Sequence, residues 1–362
     1  MDIVEATRRY ERWLKEHVTP VPGDLRLKHK AMADRPFPFL RATFYRWMQL
    51  WPTICGTLAR APRVLAVGDL HIENFGTWRD IEGRLAWGIN DFDEAHPLPY
   101  TIDLVRLATS AVLAARDGML GVGPRTVASQ LLAGYAKGLK DRGEPFVLEE
   151  THNWMREIAL SSLRDPALFW TKLDALKTYS GAVPKKVRKL FERDFPERGL
   201  SYRVVHRTAG LGSLGRPRFV ALADFNGAKI AREAKALLPS ACAWADPKTG
   251  SQRLFYADIL TDAVRCPDPF FQPMGKWILR RLSAHCSKLD LDLMPKRRDE
   301  RRLLRAMGRE TANIHLGTRG ARRAILRDLE RQPSGWLDHA AKAMADAVTD
   351  DWRQWRRRMG AR

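Results

Sequence analysis

Hydrophobic and polar positions along the chain change period several times, and each change predicts an element. Near the N-terminus, Ile3, Val4, Tyr10, Trp13 and Leu14 fall toward one side of residues 2–17 at helical spacing, predicting an amphipathic helix. Pro20-Val21-Pro22-Gly23-Asp24 predicts its end, and Leu25 to Met32 follows as a basic stretch carrying Arg26, Lys28, His29 and Lys30. A second helix is expected from Thr43 to Leu58. The apolar runs then shorten. Val64 to Val67 and Leu85 to Ile89 read as strands, each ending in a polar run. Helical spacing returns from Leu104 to Ala115 and from Arg125 to Lys140, and residues 150–195 read as helical, basic and superficial. Tyr202 to Val205, Arg218 to Ala223 and Trp277 to Leu282 predict strands of a small sheet between about 201 and 288. Pro295-Lys296-Arg297-Arg298 reads as a basic hinge, and helices near 299–317, 319–332 and 336–358 close the chain.

The pattern predicts an α+β chain in four parts: an N-terminal helical segment over 1–60, a helical lobe over 61–198, a small sheet lobe over 199–290, and C-terminal helices over 291–362 that return to the helical lobe. A length of 362 residues suffices for two lobes with a sizeable core, and 45% hydrophobic with 29% charged residues excludes a disordered chain. The net charge of +20 favours anionic partners such as a nucleotide, a phosphorylated substrate, nucleic acid or an acidic membrane surface. Trp352 to Arg362 interleaves Trp with Arg, a pattern open to both a nucleic-acid contact and an amphipathic helix end. Cys55, Cys242, Cys266 and Cys286 lack metal-ligand spacing and read as free thiols. No apolar run has the length of a membrane span or of a signal peptide's core, so a cytoplasmic setting is expected.

Two polar runs carry the candidate chemistry. Gly68-Asp69-Leu70-His71-Ile72-Glu73-Asn74 follows the first short strand, and Asn90-Asp91-Phe92-Asp93-Glu94 follows the second. If those strands form a hairpin, their carboxylates and the Asn amide meet at one sheet end, a set of oxygen ligands suited to a divalent cation. Asp69 and Asn74 are five positions apart, the spacing of the base and the magnesium-holding Asn in a protein-kinase catalytic loop. Asp91-Phe92-Asp93 stands where the Asp-Phe-Gly turn would be, with Asp at the third position. Farther on, Gly210-Leu211-Gly212-Ser213-Leu214-Gly215 fits G-x-G-x-x-G between two predicted strands, the context in which such a loop covers phosphates. Lys229 and Lys235 are the two candidates for a strand Lys reaching those phosphates.

Gly-Asp-x-His-x-x-Asn followed by a strand and an acidic turn resembles the aminoglycoside phosphotransferase and choline kinase branch of the kinase-like fold. MADRPFPFLR (residues 32–41), GDLHIENFG, NDFDEA and DLVRLATS together resemble a bacterial family, domain of unknown function 2252. The resemblance implies a bilobal kinase-like core with a small antiparallel sheet lobe and a larger helical lobe. The glycine loop follows Asp69 by about 140 residues here, reversing the usual order. Either the fold is circularly permuted or that loop is unrelated to nucleotide. At the Lys, the resemblance favours Lys235; Ala236 stands where relatives carry Glu, leaving Glu233 as the candidate carboxylate partner. Arg41 and His315 also match family positions, the first a candidate phosphate contact and the second a core histidine. Asp103, in the first turn of its helix, is expected to brace the catalytic loop.

The leading expectation is an ATP- and Mg2+-dependent phosphotransferase with an unassigned acceptor. In it Asp69 is the catalytic base, Asn74, Asp91 and Asp93 hold metal, and Gly210, Gly212, Ser213, Gly215 and Lys235 bind the phosphates. The alternatives are a nucleotide-binding pseudoenzyme, a basic nucleic-acid binder, and a two-metal phosphoesterase. The last needs further His ligands that the surroundings of His96, His152, His206 and His315 do not offer.

Overall fold

Helix ends along the N-terminal quarter follow local capping chemistry. The Asp2 carboxylate accepts the Glu5 N–H at 2.8 Å and opens α1 (Ile3–His17). The Pro20–Asp24 stretch does more than end it. Pro22 occupies the first turn of α2 (Pro22–Asp34), where a missing N–H costs nothing, so the basic stretch is itself helical. Next come α3 (Pro36–Ala42) and α4 (Phe44–Ile54), the latter ending four residues before the expected Leu58. The computed structural model describes residues 1–149, 152–161, 165–248, 250–284, 286 and 299–360. The expected hinge at Pro295–Arg298 lies outside the described residues.

The expected hairpin is not formed. β1 (Arg63–Ala66) pairs antiparallel with β4 (His96–Pro99), while β3 (Leu85–Ile89) pairs with β2 (Phe75–Arg79). The cause is a strand that sequence reasoning passed over. After a short turn at Ile72–Asn74 the chain extends through Phe75-Gly76-Thr77-Trp78-Arg79 and returns through a turn at Gly83, whose φ of 74° suits glycine. The polar runs therefore sit at nested crossings, one leading into the inner pair and the other leaving it. Both still emerge at the same end.

α5 (Thr101–Arg116) follows and is buried on all sides from Thr101 to Ala114. α6 (Pro124–Lys140), the short β5 (Phe146–Val147), α7 (Asn153–Ser161), α8 (Pro166–Asp174) and α9 (Lys185–Asp194) lead to the second sheet. That sheet contains β6 (Arg203–His206), β7 (Arg218–Phe225), β8 (Ala228–Ala236), β9 (Phe271–Met274) and β10 (Trp277–Leu282), with α10 (Ala241–Ala245) and α11 (Tyr256–Asp262) between β8 and β9. Its order is β6-β7-β8-β10-β9, antiparallel throughout. The sequence pattern groups α8 and α9 with residues 61–198, yet both pack on this sheet. Phe169 and Leu173 of α8 meet Val205, Val220 and Leu222; Val187 and Phe191 of α9 meet Phe219, Ala221 and Leu279. Alternation along β7 fills both faces, as a strand period of two requires.

The chain closes with α12 (Glu300–His315), α13 (Ala321–Arg331) and α14 (Trp336–Gly360). One apolar core runs from Ile3 through Trp47, Leu107 and Met307 to Trp355, so the first and last helices share it with α5. The fold is α+β. Among the described residues no helix is long and apolar enough to cross a membrane.

α6 and α12 approach through glycines. A Cβ on Gly308 would lie 2.9 Å from the Leu131 carbonyl carbon, and one on Gly134 would lie 2.8 Å from that of Arg305. The obstacles are helix backbone, which cannot swing aside. Gly308→Ala gains about 1 kcal/mol of helix propensity, but overpacking of this kind costs about 1–3 kcal/mol. The variant is therefore expected to melt lower than the wild type in thermal denaturation; a higher melting point would contradict this account of the helix crossing.

Candidate functional site

The first polar run is pinned from behind. Val67 and Gly68 donate their N–H groups to the two Asp103 carboxylate oxygens at 2.7 and 2.8 Å. His315 Nε2 lies 3.0 Å from the same carboxylate, and its Nδ1 lies 2.7 Å from Tyr135 Oη. A carboxylate only accepts, so the ring donates through Nε2 and, when neutral, accepts from tyrosine. Asp103 and His315 are fully buried. Asp103 thus has its expected bracing place, and His315 is a satisfied core residue. Gly68 has a φ of 82°, and a Cβ there would sit 2.5 Å from the Glu94 carbonyl oxygen, so this turn requires glycine.

Asp69 projects from that turn onto a buried guanidinium. Arg106 Nε donates to Asp69 Oδ1 at 2.8 Å, and Nη2 adds a second contact to the same oxygen. The guanidinium lies over the rings of Phe44 and Trp47, 5.0 and 4.8 Å from their centroids. Burial pushes the Asp69 carboxyl up to about 6, with Glu94 and Asp91 adding to the rise and Arg106 opposing it. Asn74 Oδ1 accepts the His71 N–H at 2.6 Å, which leaves that oxygen one further lone pair.

The second polar run reaches across to the five-stranded sheet. Asp93 Oδ1 lies 2.7 Å from Lys235 Nζ, and Asp91 Oδ1 lies 3.6 Å from the same nitrogen. Arg216 Nη1 and Nη2 reach Asp93 at 3.2 Å and Glu94 at 2.8 Å. Glu94 Oε2 also accepts from Ser240 Oγ at 3.0 Å and from the Ala241 N–H at 2.6 Å. Lys229, the other candidate, pairs with Asp174 at 2.8 Å on the exposed end of β8. Glu233 is not the partner of Lys235. Positions two apart on a strand share a face, but Glu233 is taken by Arg207, Arg218 and Arg280 at 2.9, 2.8 and 2.7 Å.

The glycine loop is held against Asp69 by α2. Val21 N–H donates to the Gly215 carbonyl at 2.9 Å, and Lys28 Nζ donates to the Gly212 carbonyl at 3.1 Å. Asp24, between them, faces His206 Nε2 at 3.1 Å and accepts from Thr208 Oγ1 at 3.3 Å. Positions 21, 24 and 28 share one helix face. Lys28 is buried, and burial with the nearby Arg216 lowers its ammonium to about 8. A Cβ on Gly212 would stand 3.1 Å from the Arg41 carbonyl oxygen and 3.4 Å from Asp69 Oδ2. Gly215, at φ 96°, is turned toward Leu25 instead.

Two cavities meet here. The smaller, about 40 Å3, is lined by Asp69, Asn74, Asp91 and Asp93, by Gly210, Gly212 and Ser213, and by Lys28 and Tyr45. The larger, about 390 Å3, is lined by Gly210, Asp91 and Lys235, by Arg207, Arg218 and Arg280, and by Trp78 and Phe271. Arg41, Asp91 and Gly210 border both. Arg41 also pairs with Glu73 at 2.6 Å, so the ion pair and the cavity wall are one residue's work. Of the expected site residues, all but Gly215 border one cavity or the other. Among the described residues no three His, Cys, Asp or Glu side chains converge to hold a metal ion. A cation here would rest on Asn74, Asp91 and oxygens of a ligand.

Residues 20–168 match the family described as "Uncharacterized protein conserved in bacteria (DUF2252)". The match spans α2, Asp69, Asn74 and the acidic turn, and stops before the glycine loop. No curated protein and no solved structure matches the chain.

Sequence reasoning missed Lys28, Arg106, Arg216 and the arginines on Glu233. Arg106 was within reach: it lies three residues after Asp103, on the helix face that meets the loop. The Glu233 cluster depends on strand register, with Arg280 directly opposite Glu233, and no local signal encodes that.

Behind the acidic turn, the Glu310 carboxyl lies where a Gly88 side chain would be, its Cδ 2.9 Å from the Cβ position. Oε1 accepts the Ile89 N–H at 3.2 Å and Oε2 accepts from Asn313 Nδ2 at 2.8 Å. Burial nevertheless pushes Glu310 up to about 7 from 4.5. A carboxyl raised on folding binds protons more tightly folded than unfolded, so its contribution is full below 4.5 and is lost as pH rises toward 7. Asp69 adds a slope of the same sign between about 4 and 6. In denaturant titrations at successive pH values, Glu310→Gln is expected to flatten the decline between pH 4.5 and 7; an unchanged slope would contradict the assignment.

Proposed function

We propose that this protein is a phosphotransferase of kinase-like fold, circularly permuted, which uses ATP with Mg2+ to phosphorylate an acceptor presented to Asp69. One observation carries the reading: Asp69, Asn74 and Asp91 border the same cavity as Gly210, Gly212 and Ser213, although about 140 residues separate the two groups in the chain. Three further features support it. β6, the glycine loop, β7 and then Lys235 on β8 follow in the order that a kinase's phosphate-covering strands require. Lys235 stands beside Asp91, the residue in the place of the metal-bridging Asp. The larger cavity, lined by six arginines and Lys235 against two acidic residues, has the size of a small-molecule site.

In this reading Asp69 Oδ2, the oxygen nearer the glycine loop, accepts the acceptor's proton. Arg106 orients that carboxylate through Oδ1, and the raised pKa leaves it ionised above pH 6 yet basic enough to take a proton. Asn74 and Asp91 would hold the ion, whose contribution when bound is to neutralise phosphate charge. The donor set fits: Asn74 Oδ1 has a lone pair left, and the Asp91 side chain is 25% exposed at the cavity. Asp93, expected as a further ligand, instead spends its oxygens on Lys235 and Arg216 and belongs to the clasp between the lobes. Gly212, which lacks a Cβ, lets the loop approach Asp69.

Calorimetry of Mg-ATP against wild type and Asp91→Ala tests the binding half. Clear binding by the first and a loss of about tenfold or more in the second is expected, the scale of a charged contact. Equal binding, or none by either, would sink the reading. Asp69→Asn is expected to keep nucleotide affinity while slowing phosphate release from ATP by about 100-fold or more; undiminished release would remove Asp69 from the role of base.

A further inference from the structure

The cluster on Glu233 has more charge than its own pairing explains. Glu233 is fully buried at the centre of β8. Arg207 Nη1 donates to Oε2 at 2.9 Å; Arg218 Nη1 and Arg280 Nε donate to Oε1 at 2.8 and 2.7 Å. Arg218 comes from β7, Arg280 from β10 and Arg207 from the segment between β6 and the glycine loop. The arginines hold the Glu233 carboxyl well below the usual range against its burial, so it is ionised. One negative charge against three guanidinium groups leaves two positive charges in excess, in a place where uncompensated charge is costly.

All three arginines line the larger cavity, and Glu233 does not. Each guanidinium has five N–H donors, of which the carboxylate takes only some. Arg218 spends one more on Ser213 Oγ at 2.9 Å, which ties the cluster to the glycine loop. Lys235 borders the same cavity, but Asp93 and Asp91 already balance it. The cavity's acidic wall residues are Asp91 and Asp268, against six arginines, so the excess faces the cavity from the arginines. Planar guanidinium groups suit phosphate oxygens better than an ammonium does.

We propose that Arg207, Arg218 and Arg280, set by Glu233, form a binding site for the linked phosphates of a polyphosphate chain, with the arginines and not Lys235 as the main cationic contacts. A nucleoside triphosphate and an inorganic polyphosphate share that chemistry. The nucleotide form of the proposal rests on the phosphotransferase reading; the inorganic form stands without it.

The test is calorimetry with sodium tripolyphosphate, ATP and AMP, using wild type, Arg207→Gln and Arg280→Gln. Removing one arginine leaves Glu233 two partners, so these variants are expected to fold, and a melting curve for each checks this. Arg207→Lys serves as a second variant that keeps the charge and loses the fork. Wild type is expected to bind tripolyphosphate and ATP more tightly than AMP, with affinity falling as salt rises. Either Gln variant is expected to weaken both triphosphates by about tenfold or more, and Arg207→Lys to weaken them by less, as charged hydrogen bonds to phosphate imply. No tripolyphosphate binding by wild type, or unchanged triphosphate affinity in folded Arg207→Gln and Arg280→Gln, would overturn the site. Tripolyphosphate binding that responds to Arg207 with no ATP binding would keep the site and sink the nucleotide reading. ATP binding that responds to Asp91 and ignores the arginines would do the reverse.

Discussion

The arrangement depends on two adjacent carboxylates that join the acidic turn to the five-stranded sheet and to α10. Asp93 and Glu94 leave the acidic turn and meet Lys235 of β8, Arg216 and the first turn of α10. Buried ion pairs are weak sources of net stability, because desolvation offsets most of the attraction. Their effect here is positional. Breaking either pair would strand a charge, so the turn has one low-energy place. The Glu94 backbone in turn fits against Gly68, where no side chain is tolerated, and Gly68 leads into Asp69. One chain of contacts therefore sets the separation of Asp69 from β7 and β8.

A second layer comes from the N-terminal helices. Val21 at the start of α2 and Lys28 within it hold the glycine loop, Asp24 between them holds the His206–Thr208 segment before it, and Phe44 and Trp47 of α4 cover Arg106. Tyr10 and Tyr45 complete the cover over the smaller cavity. These helices share their core with α5 and α14, so the cover is part of the helical body and not an appendage. With the glycine loop against Asp69, about 40 Å3 remains beside the carboxylate, enough for a small group and no more.

The sequence disclosed elements wherever a period was long or chemistry was local. The helices of the core, the strands around the glycine loop, the brace at Asp103 and the buried state of His315 all follow from patterns within a few residues. It misled where pairing is non-local. Val64 to Val67 and Leu85 to Ile89 were read as partners because Phe75 to Arg79, broken by Gly76, shows a weaker strand signal. Helices α8 and α9 were placed by charge, although Phe169, Val187 and Phe191 are the residues that bind them to the sheet. Candidate site residues were legible as residue types at fixed spacings. Their charge partners were not, since Arg216 with Glu94 and Arg280 with Glu233 depend on strand register and on contacts between segments far apart in the chain.

The central claim is that an acidic segment and a glycine segment, far apart in the chain, enclose one metal-bearing phosphate site. Crystals grown with Mn2+ and a non-hydrolysable ATP analogue test it most directly through the anomalous signal of the ion. The account predicts a peak within bonding distance of Asn74 Oδ1 and an Asp91 oxygen, with the phosphates under Gly210 to Ser213. A peak elsewhere, or a nucleotide bound away from both segments, would contradict it.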